Sequence, residues 1–91
     1  MVRDMLSILM DNIKDTDMWL GYAENCTDMN YKMWFVSHAK ARASMLNEDY
    51  EYIAKEIGLL EKARSGDEIA EALLEHLNYQ IKEIGSRLKM M

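Results

Sequence analysis

The chain has 91 residues and a net charge of -5, with 49% hydrophobic and 30% charged residues. That balance excludes a disordered chain, and the length supports one domain, whose folding buries roughly 60 to 65% of the surface exposed by the unfolded form. Proline is absent and no apolar run approaches the 18 or so residues that span a bilayer, so a nearly all-helical protein with short connections and no membrane partner is expected.

The first element is marked by a stripe of apolar residues at alternating spacings of four and three: Val2, Leu6, Leu9, Ile13, Thr16, Leu20, Ala23 and Thr27. Met5, Met10 and Trp19 widen it into a face. A 3.5-residue repeat is the mark of a helix seam packed against other helices. The repeat stays in phase through Asp15-Thr16-Asp17, which predicts one helix over about 2–25. Met5 to Met10 is too short and too closely flanked by Asp4 and Asp11 to be an export signal. Cys26 has no partner for an internal disulfide, so a cytoplasmic protein is expected.

Asn25-Cys26-Thr27-Asp28 supplies turn formers, with Thr27 or Asp28 as N-cap of the next helix. The second stripe passes through Met29, Met33, Val36, Ala39, Ala43, Leu46, Tyr50, Ile53, Ile57 and Leu60. Asn47-Glu48-Asp49 has the look of a helix start, yet Leu46 and Tyr50 hold the same seam across it. The pattern predicts a single helix over 28–64, on the order of 50 Å long. Arg64 ends it and Gly66 lets the backbone turn. Ser65 and Glu68 match a capping box for a third helix over 66–90, whose stripe is Ala70, Leu74, Leu77, Ile81, Ile84, Leu88 and Met91, with Ile69 and Leu73 beside it.

Short connections make each helix antiparallel to the one before it. The expected fold is all-α, one domain over 1–91: an up-down-up antiparallel three-helix bundle with a long central helix and coiled-coil-like packing. Each end of that helix has only one neighbour within the chain. Uncovered apolar surface costs about 25 cal/mol per Å², and a second copy of the chain would remove it, so a homodimer is expected.

Charge is unevenly distributed. Residues 1–28 hold two basic and six acidic side chains, whereas residues 29–46 hold Lys32, Lys40 and Arg42 and no acid. The basic segment runs beside Asp11, Asp15, Asp17 and Glu24 of the first helix, where mutual neutralisation is the simplest outcome. With His38 the three cations also form a small basic patch, and a nucleic-acid-binding dimer is the alternative function they suggest. The footprint is small for nucleic acid, which usually demands several phosphate contacts.

Five aromatic residues, Trp19, Tyr22, Tyr31, Trp34 and Phe35, gather around the first turn. Trp34 and Phe35 are adjacent, so on a helix they point about 100° apart and cannot share one seam. One of them is expected to face a partner, and this cluster is the candidate partner-binding site.

Motifs for catalysis are wanting. Neither His38 nor His76 has a carboxylate three or four residues away, so the Glu-x-x-His pattern of helical metal sites is absent and no metal or other cofactor is expected. Cys26 lies between Glu24 and Asp28, which oppose a thiolate. Gly21, Gly58, Gly66 and Gly85 stand alone, with no phosphate loop. A long second helix after Tyr22-Ala23-Glu24 resembles half of a ferritin-like bundle without its ligands, which adds a metal-free helical protein of that kind as an alternative. The leading expectation is a non-enzymatic helical module that associates with itself and with another protein.

Overall fold

The computed structural model of the chain describes residues 2–91, with side chains from residue 5 onward. Four helices pack together: α1 (Val2–Asn25), α2 (Met29–Glu56), α3 (Leu59–Arg64) and α4 (Glu68–Lys89). α1 lies against α2 and α4, and the short α3 lies against α2 and α4. The molecule is elongated, 49 × 24 × 16 Å. No helix among the described residues is long and apolar enough to cross a membrane.

α1 runs unbroken through Asp15-Thr16-Asp17. Thr16 is fully buried there, its hydroxyl donating to the carbonyl of Asn12 at 2.7 Å. Asp28 caps α2, its Oδ1 accepting from the amides of Asn30 at 2.9 Å and Tyr31 at 3.4 Å. This satisfies amide groups that the first turn of a helix leaves free.

The single helix expected over 28–64 is two helices. Ile57 closes the last turn of α2 by donating to Ile53, and Gly58 then takes the left-handed conformation, φ 75°, while donating to Lys55. A left-handed residue ends an α-helix, and glycine adopts it without a Cβ penalty. The apolar spacing conceals the break because Ile57 and Leu60 remain half-buried on both sides of it.

The expected capping box at Ser65 and Glu68 is also replaced. Ser65 ends α3 and its hydroxyl donates back to Glu61 at 2.9 Å. Asp67 is the N-cap of α4, accepting from Ile69 at 3.0 Å and Ala70 at 3.1 Å. The physical reason is the reversal at Gly66, φ 93°. There Gly66 donates to Ala63 and Asp67 to Lys62, the paired bonds of a Schellman turn, so the chain leaves α3 only after Ser65.

The core is built from Leu9, Ile13 and Leu20 of α1, Ala39, Leu46 and Ile53 of α2, and Leu77, Ile81 and Ile84 of α4. These are seam positions of the three long stripes. The stripe ends depart from the pattern: Thr27, Met29, Met33 and Met91 are exposed, as is Ile69 beside the third stripe. Val2, the first position of the α1 stripe, lies outside the described side chains. Tyr50 ties α2 to α4 by donating to the carbonyl of Leu74 at 3.4 Å, and burial raises its phenol pKa.

Candidate functional site

The turn between α1 and α2 brings two helix ends together, and four of the five aromatic residues meet there. Trp19 on α1 is the hub. Its ring centroid lies 5.9 Å from Tyr22, 5.5 Å from Trp34 and 5.9 Å from Phe35. The Tyr22 and Trp34 contacts are edge-to-face, the arrangement favoured by the ring quadrupole. Phe35 also touches Tyr22 and Trp34. His38 joins the cluster, half-buried between the two indoles, with centroids 4.7 Å from Trp19 and 4.5 Å from Trp34, the latter stacked at 29°. The indole N–H of Trp19 is buried with no acceptor.

Tyr31 stays apart from these ring pairs and is 64% exposed. Trp34 and Phe35 divide as their adjacency requires: Phe35 is half-buried against α1, while Trp34 keeps 51% of its surface in solvent. Tyr22 is 50% exposed, and Met29 and Met33 stand exposed on the first turns of α2. Large apolar side chains held this way are unusual in clusters on a monomer surface.

The basic segment is only partly free. Arg42 pairs with Asp15 of α1 at 2.7 Å, Lys32 is half-buried and Lys40 is exposed. The other α1 acids expected beside it turn elsewhere. Asp17 and Glu24 are both held by Arg87 of α4, which meets Glu24 through two parallel hydrogen bonds. Those bonds lower the Glu24 carboxyl pKa against the opposing effect of burial and raise that of Arg87.

Arg87 carried no sequence signal. It is 63 residues from Glu24, and only the return of α4 along α1 brings them together. Between those helices lies a cleft of about 440 Å³ lined by Met10, Lys14, Asp17, His76, Gln80 and Arg87 among others. Its charged groups are of both signs. Among the described residues no group of three His, Cys, Asp or Glu could hold a metal ion. Cys26 is half-buried in the α1–α2 turn, its thiol donating to the carbonyl of Asp28 at 3.4 Å.

A second feature did have a sequence signal. Tyr31, Trp34 and His38 begin a row that continues through Met45 to Tyr52 at helical spacing, on the side of α2 away from its buried seam. The row is visible in the same three-and-four periodicity that marks the core. Comparison with known protein families, curated proteins and solved structures finds no match to this chain.

Proposed function

We propose that this chain works by association rather than catalysis, as a self-associating interaction module whose working surface is the aromatic end of α1 and α2. The observation that carries this is the half-exposure of Trp34 beside exposed Tyr22 and Tyr31, on a scaffold whose inner rings are already packed. Trp and Tyr offer large contact area at small entropic cost, and they dominate binding energy where they are found at interfaces. The rings are held in place before any partner arrives, because Trp19 and His38 brace Trp34 from two sides. Pre-ordered anchors lose less entropy on binding.

In this reading the chain is a homodimer that uses the length of α2, and further proteins dock on what the dimer leaves free. Light scattering across a hundredfold dilution tests it. A stable mass near twice 10.7 kDa is expected. Trp34→Ala should weaken association at least tenfold while circular dichroism keeps its helical signal. A mass of one chain at every concentration would overturn self-association.

A further inference from the structure

α2 carries two seams. The inner one, Val36, Ala39, Leu46 and Ile53, is buried. The outer one runs from Tyr31 through Trp34, His38, Ala41, Met45 and Glu48 to Tyr52, in steps of three and four without a skip. Its two ends and its middle stand in solvent, Met45 at 58% and Tyr52 at 54%. A 3.5-residue repeat over three heptads is the spacing of coiled-coil packing; Trp19 of α1 covers one side of Trp34 and His38, and Tyr31, Ala41, Met45, Glu48 and Tyr52 stay exposed. α1 borders the row through the Arg42–Asp15 bond and the Tyr22–Phe35 contact, which sets Asp15 and Tyr22, seven residues apart, along its edge.

We propose that a second copy of this chain packs on the outer seam, antiparallel, with the two-fold axis beside Ala41. The inference rests on the self-association proposed above and specifies its surface, direction and register. Charge decides the direction. Residues 29–46 carry Lys32, Lys40 and Arg42 without an acid, and residues 47–56 carry Glu48, Asp49, Glu51 and Glu56 against Lys55 alone. Antiparallel pairing sets the basic half of each α2 beside the acidic half of the other; parallel pairing sets like upon like.

Symmetry decides the register. About an axis between Ala41 and Arg42, Tyr31 of one copy faces Tyr52 of the other and His38 faces Met45, while Trp34 falls opposite Glu48 and Asp49. The small Ala41 sits where the helix axes come closest. Arg42, beside the axis, is already matched by Asp15 of its own chain.

Area supports the occupant. The chain exposes 6610 Å², against roughly 5,500 Å² expected for a folded monomer of this mass. The excess of roughly 1,100 Å² belongs to the whole elongated molecule, 49 × 24 × 16 Å, and leaves room for the 800 Å² or so that each partner contributes to a standard interface.

The test uses the full chain with Cys26→Ser and Glu51→Cys, nitroxide-labelled at exposed residue 51 outside the row, with pulsed electron spin resonance and light scattering on the same sample. A dimer with labels about 30 Å apart, roughly 19 residues of helix, is expected. Ala41→Glu, at an exposed position, should give monomers with unchanged helicity. A dimer with labels about one helix separation apart, roughly 10 Å, or an Ala41→Glu chain that stays dimeric, would overturn this arrangement and leave self-association standing. A monomer before any substitution would overturn both and open the seam to a different partner.

Discussion

Arg87, in the last turn of α4, grips Glu24 of α1 with two parallel hydrogen bonds, Nε to Oε2 at 3.1 Å and Nη2 to Oε1 at 2.5 Å, and gives Nη1 to Asp17. Bidentate charge-assisted bonds are stronger and more directional than a simple surface ion pair. The clamp fixes the end of α4 against the end of α1, at the same end of the molecule as the aromatic cluster.

Replacing Arg87 with alanine should therefore lower stability at pH 7 by about 1 kcal/mol, read from urea unfolding, because the groups remain partly exposed to water. The pH dependence follows from Glu24. Its folded pKa lies below the ordinary carboxylate value of 4.5, so its contribution is complete above that value and is lost as pH falls through the lowered one. The difference between the two proteins should shrink on acidification to pH 3. A difference that persists undiminished in acid would place its origin outside the clamp.

Gly58 and Gly85 should respond in opposite directions to alanine. Neither position has an atom within 4 Å of an added Cβ, so sterics do not separate them. Backbone conformation does. Gly58 is left-handed and alanine there should cost about 1 kcal/mol, whereas Gly85 is inside α4 and alanine should add up to about 1 kcal/mol through helix propensity. Thermal unfolding of the two variants gives the signs directly, and stabilisation by Gly58→Ala would mean that α2 and α3 can run on as one helix.

Thr16 tests whether the buried hydroxyl matters or only the volume. Its partner, the Asn12 carbonyl, keeps the helical bond from the Thr16 amide, so Thr16→Val leaves no orphaned acceptor and should shift stability by less than about 1 kcal/mol. Thr16→Asp buries a carboxylate without a cation and should cost about 3 kcal/mol or more in chemical denaturation.

Much of the scaffold is legible in the chain. The inward positions of α1, α2 and α4 repeat at helical spacing because the same residues must meet a core at each turn, and Leu9, Leu20, Leu46 and Leu77 are buried to within 1% where that repeat puts them. Breaks are less legible. Gly58 ends α2 without disturbing the apolar phase, and Ser65 yields its expected capping role to Asp67 because Ser65 closes α3 and the Gly66 turn intervenes before α4 starts.

The aromatic end shows where sequence stops and tertiary structure begins. Adjacency alone required Trp34 and Phe35 to point in different directions, and spacing alone placed Tyr31, Trp34, Met45 and Tyr52 in one row. Which of the adjacent pair would turn inward depended on where α1 lay, and that was settled by Trp19 packing between Phe35 and His38. The acids of α1 were likewise visible as charges but not as partners. Asp15 went to Arg42 and Asp17 and Glu24 to Arg87 because α2 and α4 flank α1 on different sides, and periodicity encodes the face a helix buries but not the neighbour that covers each flank.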